Sequence, residues 1–180
     1  VLDNGSTNNE AELLQRRFGN DIHIERSETN KGFAGGHNYV VANHAGYDYY
    51  LLLNQDAVLE PTTIGMLLDH IIQEPKLAVV GPTILHSDGA VQSQGARISM
   101  YTGKVHSLHT GYSQPYNVDC VIGACFLMSA AAIKAIGMFD ARYFAYYEEV
   151  DWCVRAREAG FKCAVVPAAQ ITHTKEAGFR

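Results

Sequence analysis

An acidic triplet, Glu148, Glu149 and Asp151, opens a predicted helix directly after the aromatic run Tyr143-Phe144-Ala145-Tyr146-Tyr147. Asp151 has Arg155 four residues on, the spacing of an ion pair along a helix face. Glu149 has Trp152 and Cys153 at i+3 and i+4, neither of them a cation, and a helix N-terminus favours its ionised form, as a general base requires. The same acids also suit a plainer role as a complement to the helix dipole. Further up the chain, the glycine-rich Asn30-Lys31-Gly32-Phe33-Ala34-Gly35-Gly36 precedes a helix and can offer backbone N–H groups to a diphosphate, with Gly35 and Gly36 allowing close approach. Those glycines equally let a helix pack against a sheet, and their spacing is not the G-x-G-x-x-G of a dinucleotide site. Asp3 ends a strand, where its carboxylate can accept from the N3–H of a pyrimidine while Asn4 and Ser6 add polar contacts; ordinary turn chemistry accounts for Asp3-Asn4-Gly5 as well.

The elements that must position these residues alternate. Val1-Leu2 reads as the end of a buried strand, and Asn8 or Asn9 can cap a helix over Glu10 to Phe18 that Gly19-Asn20 stops. Ile22 to Glu25 reads as a strand, followed by the glycine-rich loop and a second helix to about Ala45. The apolar run Tyr49 to Leu53 is a strand ending at Asn54-Gln55-Asp56. Pro61 then precedes a third helix with its apolar face on Ile64, Leu67, Leu68, Ile71 and Ile72, closed by Pro75. Lys76 to Leu85 is the next strand. Asp88 to Asn117 loses periodicity, which predicts hairpins and a mobile loop. Cys120 to Met128 returns as a buried strand, Ser129 caps a helix through Ile136, Glu148 to Ala159 is a helix, and Cys163 to Val166 with Gln170 to His173 complete the order. Strands separated by helices predict a largely parallel sheet with ligands outside its carboxyl edge, where the tips Asp3-Asn4 and Asn54-Gln55-Asp56 would both lie.

Composition narrows the classes. With 180 residues, 47% hydrophobic and 18% charged, the chain is one cored domain in size and neither disordered nor fibrous. Fourteen Lys+Arg against 19 Asp+Glu, with the cations scattered, argue against a nucleic-acid partner. The longest apolar stretch, Cys120 to Ile133, is too short to span a bilayer, and no secretory signal opens the chain. Four cysteines without C-x-x-C spacing fit reduced thiols and a cytoplasmic setting.

Five stretches, in order, resemble glycosyltransferase family 2, the inverting nucleotide-sugar transferases of the GT-A fold, and among them the bacterial rhamnosyltransferase-like members. They are Val1-Leu2-Asp3-Asn4-Gly5-Ser6-Thr7, Asn30 through Gly36 with His37-Asn38, Leu52-Leu53-Asn54-Gln55-Asp56-Ala57, Gly123-Ala124 with Gly137-Met138-Phe139-Asp140, and Tyr147-Glu148-Glu149-Val150-Asp151 with Arg155. The resemblance implies an α/β GT-A domain over residues 1–180, an α/β/α sandwich with a mostly parallel central sheet that lacks the family's first strand and helix. It implies nucleotide-sugar contacts at Asp3, Asn4, Ser6, Asn30, Gly32, Gly35, Asn38 and Asn54. Asp56 occupies the place of the family's Asp-x-Asp motif, with Asn54 where the first aspartate stands, so the resemblance makes it a ligand for Mg2+ or Mn2+, with His173 as a second. Such an ion would neutralise charge on the departing nucleoside diphosphate. The family's Glu-Asp pair reads Glu148-Glu149 here, which puts the base at Glu149 with one extra methylene and leaves Glu148 and Asp151 as the other catalytic candidates.

The implied donor is a dTDP- or UDP-linked sugar, rhamnose first. The implied acceptor is a saccharide or lipid-linked saccharide of surface polysaccharide synthesis, met at the inner face of the membrane. Of the aromatic run, Phe144 reads as core, while the tyrosines could present rings to a sugar and Trp152 could serve either way. Two rival readings share parts of this pattern: a nucleotidyltransferase, which would have no use for an acid beside an aromatic wall, and a non-catalytic nucleotide-sugar-binding module.

Overall fold

The computed structural model describes residues 1–109 and 111–174, and the chain divides into two compact units, Val1–Gly46 with Phe139–Glu148, and Tyr47–Met138 with the residues from Glu149 on.

In the first unit, β1 (Leu2–Asp3) pairs in parallel with β2 (Glu25–Arg26), Leu2 opposite Glu25 and Asp3 opposite Arg26. Helix α1 (Glu10–Phe18) has acids in its first turn and arginines in its last, as the helix dipole favours, and Gly19 stops it with φ of 55°. A 3₁₀ turn, Gly19–Asp21, then carries the chain on, and the strand expected at Ile22 to Glu25 is found later, at Glu25–Arg26. Helix α2 (Gly32–Asn43) begins inside the glycine-rich stretch, so Gly32, Gly35 and Gly36 are helical residues rather than loop.

The second unit is built on a seven-stranded sheet. Its main path runs β3 (Tyr49–Leu53), β10 (Cys125–Ser129), β5 (Leu77–Leu85), β11 (Lys162–His173), β4 (Ala57–Leu59); β6 (Val91–Ser93) adds to β5 and β9 (Tyr116–Val118) to β11. Strands β5 and β11 pair in parallel, but β10 lies antiparallel to both β3 and β5, β4 and β9 antiparallel to β11, and β6 antiparallel to β5, so the sheet is mixed rather than mostly parallel as expected, with an inversion at β10 in its middle. The sequence did not show that inversion, because a strand buried on both faces reads the same in either direction. The expected tips also end strands of different sheets: Asp3 closes β1, and Asn54 follows β3. The region from Asp88 to Asn117 contains β6, the hairpin of β7 (Ala96–Ile98) and β8 (Val105–Ser107), and the start of β9.

Packing of this sheet follows the period-2 rule. Cys125 and Leu127 of β10 join Val80, Ile84, Ala164 and Ile171 in a core with Leu67 and Ile71 of α3 (Thr63–Gln73). The alternate residue Phe126 packs edge-on against Trp152 of α5 (Glu148–Glu158), ring centroids 5.7 Å apart. Trp152 is fully buried and donates to the Gly137 carbonyl at 2.9 Å, so it is core. Helix α4 (Ala130–Ile136) is capped as expected, with Ser129 Oγ accepting from the Ala132 N–H at 3.2 Å. Phe144, read from sequence as core, is 53% exposed. The four cysteines are buried and unbridged. No helix among the described residues is long and apolar enough to cross a membrane.

Candidate active site

The clearest convergence lies at the carboxyl edge of the seven-stranded sheet. The Asn54 N–H donates to the Ala124 carbonyl at 3.0 Å, holding the end of β3. Residues 54–56 then carry the chain from β3, at one end of the strand order, to β4 at the other, where Ala57 faces His173. Thr174 clasps the crossing, its N–H and hydroxyl both donating to the Asp56 carbonyl at 3.1 Å. As a result Asp56 Oδ1 and His173 Nε2, 117 residues apart in sequence, stand 3.1 Å from one another, with the Asn54 amide nitrogen 3.5 Å from the same ring atom.

His173 Nδ1 faces Gln92 Oε1 at 3.3 Å. The ring is thereby held between Gln92 and the Asp56 carboxylate, and an imidazole nitrogen beside a carboxylate oxygen is a donor set that divalent ions take. Hard divalent ions with bonds of about 2.1 Å at right angles hold neighbouring ligand atoms about 3 Å apart, so the carboxylate and imidazole fit such an ion. Asp56 and His173 would hold it, and waters and a diphosphate would complete its shell. Sequence reasoning missed Gln92 and Thr174, since Gln92 sits in the stretch without periodicity and Thr174 acts through backbone contacts.

Around Asp3 the first unit is differently made. Asp3 Oδ1 accepts from the Ser6 N–H at 2.8 Å, and hydrogen bonds from Ser6, ahead of the Arg26 charge, hold its carboxyl below the usual range. Arg26 Nε lies 3.3 Å from Oδ2, yet that buried oxygen accepts no hydrogen bond among the described residues.

Several residues expected to touch the nucleotide sugar are instead engaged by the chain. Asn4 accepts from the Lys31 N–H at 2.9 Å and donates to the Gly32 carbonyl at 3.0 Å and to Asn30 Oδ1 at 3.1 Å. Asn30 Oδ1 also takes the Gly32 N–H at 2.8 Å, and the Phe33 N–H goes to the Phe144 carbonyl at 2.7 Å. Three donors at the start of α2, expected to face a diphosphate, are therefore satisfied internally. A Cβ on Gly32, whose φ is +70°, would lie 2.3 Å from the Phe144 carbonyl, and one on Gly36 3.3 Å from the Asn4 amide, so close packing of the chain on itself explains both glycines. Gly35 meets only the Lys31 side chain, at 3.1 Å. Asn38 donates to the Phe139 carbonyl at 2.7 Å and accepts its N–H at 3.1 Å, imitating a strand partner. Asn4, Gly32 and Asn38 thus hold the chain in place.

The acids at the start of α5 separate by environment. Glu148 is buried, its Oε2 has no hydrogen-bond partner among the described residues, and burial raises its pKa. Glu149 is partly buried as a residue, with its Oε2 buried as well. Asp151 pairs with Arg155 Nε at 2.8 Å, the expected ion pair, and the same guanidinium donates to the Ile136 and Met138 carbonyls at 2.7 and 2.9 Å. Asp151 is thereby a holding group for the segment after α4. Just before the helix, Tyr146 and Tyr147 take left-handed φ of 70° and 71° with exposed rings. Such backbone costs about 1 kcal/mol or more per residue and concentrates at functional sites.

Residues 3–180 match the family model described as "Glycosyltransferase like family 2", and the chain belongs to that family. It is 28% identical over 202 residues to the N-acetylglucosaminyl-diphospho-decaprenol L-rhamnosyltransferase of Mycobacterium tuberculosis, a match covering 97% of this chain and 66% of the relative. To the low-salt glycan biosynthesis hexosyltransferase Agl10 of Haloferax volcanii it is 28% identical over 185 residues, 93% of this chain and 57% of that one. The poly-beta-1,6-N-acetyl-D-glucosamine synthase of Staphylococcus aureus is 22% identical, with 94% and 40% covered. The chain thus spans two thirds or less of the length of these relatives. A crystal structure of GalNAc-T7 with UDP, GalNAc and Mn2+ superposes with a TM-score of 0.78 over 96% of this chain and 37% of that one at 13% identity, which establishes the fold.

Proposed function

We propose that residues 1–180 form the catalytic domain of an inverting, metal-dependent glycosyltransferase. It moves a sugar, rhamnose as the leading candidate, from a dTDP- or UDP-linked donor to a hydroxyl of a saccharide or lipid-linked saccharide acceptor. The setting is bacterial surface-polysaccharide synthesis at the cytoplasmic face of the membrane. The observation that carries this reading is the meeting of Asp56 with His173 beside Asn54. Kinship with a rhamnosyltransferase and other glycan-building enzymes supports the substrate class.

Each residue has one task. Within the first unit, Asp3, held by Ser6, is the residue assigned to the N3–H of the base, with Asn30 and Gly35 as further donor contacts of that unit. Asp56 and His173 hold Mg2+ or Mn2+, with Asn54 alongside; when bound, the ion neutralises charge building on the leaving diphosphate. Glu149 takes the proton from the acceptor hydroxyl as that oxygen attacks the anomeric carbon. Burial of Glu148 favours a protonated carboxyl, which makes it the poorer base of the two acids. Tyr146 and Tyr147 offer ring faces to the acceptor sugar.

Product analysis tests the reading. With a dTDP- or UDP-linked sugar, Mn2+ and a saccharide acceptor, we expect release of nucleoside diphosphate with formation of an inverted glycosidic bond. Pyrophosphate release would establish the nucleotidyltransferase alternative, and donor binding without turnover a binding module.

A further inference from the structure

Apart from the residues assigned above, the first unit gathers two imidazoles and a carboxylate at one spot. Glu25 lies in β2, His23 stands two residues before it, and His44 follows the last residue of α2. His23 Nε2 is 3.3 Å and His44 Nε2 2.5 Å from the same oxygen, Glu25 Oε1, and a ligand atom from each residue lies within 4.8 Å of the others. The two rings meet edge to face, centroids 5.2 Å apart at 72°.

We propose that His23, Glu25 and His44 bind a borderline divalent ion of the Zn2+ class, tying β2 to the C-terminal end of α2. Imidazole nitrogen with one carboxylate oxygen is a donor set that zinc takes readily, and three protein ligands leave a fourth position for water. Tetrahedral zinc with bonds of about 2.0–2.1 Å separates neighbouring ligand atoms by about 3.3 Å. The His23–Glu25 distance already has that value, and the His44–Glu25 contact needs to widen by less than an ångström. Rotation of exposed side chains supplies that movement: His23 is 71% and His44 37% exposed. Glu25 is the most buried of the three, at 20%. His44 also sits at the C-terminus of α2, where the helix dipole favours a cation. The set is nitrogen-rich, unlike the Asp56–His173–Asn54 edge, and selects a different ion.

Titration calorimetry of the full chain with ZnCl2 at neutral pH, in the Asp56→Ala background so that the sheet-edge site is removed, tests the site. We expect one equivalent of Zn2+ bound, at least tenfold weaker binding in His23→Gln and in His44→Gln, and little response to MgCl2. Replacing Zn2+ by Co2+ should give the visible absorption of a tetrahedral ion. His23→Gln alters an exposed side chain, so circular dichroism will show an intact fold and its binding result stands alone. Zinc affinity unchanged in both histidine variants, or no zinc bound in the Asp56→Ala chain, would overturn the proposal, while leaving the Asp56–His173 reading untouched.

Discussion

The two units position their functional groups by opposite means. At the sheet edge of the second unit, Asp56 and His173 are brought to 3.1 Å by strand pairing, since β4 lies antiparallel to β11 with Ala57 opposite His173. In the first unit the strands are two residues long, and side-chain amides replace the ladder, Asn4 and Asn30 tying β1 to the start of α2 and Asn38 clasping Phe139. A ladder leaves side chains at its ends available for ligands. Amide clamps consume the polar groups that sequence reading would assign to a ligand.

Substitutions at the sheet edge of the second unit should therefore remove chemistry and leave the fold, and those at the close-packed amide clamps of the first should act through the fold. The largest effect expected is for Glu149→Gln, with turnover lowered about 100- to 10,000-fold and donor affinity nearly unchanged, read by nucleoside diphosphate release and calorimetry. Full activity in that variant would move the base to another acid. In the first unit, Gly32→Ala places a Cβ against the Phe144 carbonyl at a positive φ and should cost about 2 kcal/mol or more, read as a lower Tm. A normal Tm with weakened donor binding would show instead that Gly32 faces the ligand.

The smallest effect concerns Glu148. Its folded pKa is raised by burial, so the stability contributed by the protonated carboxyl is complete below the unfolded value and is lost as pH rises through the folded one. Glu148→Gln cannot ionise and should raise Tm at neutral pH, with the gain vanishing in acid. A lower Tm at neutral pH would mean that the carboxylate is held ionised.

Much of this was legible beforehand for definite reasons. Helices α1 and α3 carry strong periodicity, and α4 and α5 are followed by clear stops, Gly137 and Gly160 with φ of 75° and 86°. The Asp151–Arg155 pair followed from helical spacing alone. Strand β4 was not legible, because three residues show no period, and β11 reads as two strands since its ladder shifts register between Val166 and Gln170, across Pro167. Phe144 was assigned to the core on hydrophobicity, whereas its carbonyl is what the fold uses, receiving the Phe33 N–H. The family resemblance supplied the pairing of Asp56 with His173, which no local pattern could give.

That pairing is tested most directly by calorimetry of dTDP and UDP binding with and without Mn2+, in the unaltered chain, Asp56→Ala, His173→Ala and the double variant. We expect Mn2+ to tighten nucleoside diphosphate binding in the unaltered chain, each single substitution to abolish the tightening, and the double variant to behave like either single one. Undiminished tightening by Mn2+ in both single variants would contradict a shared cation at this edge.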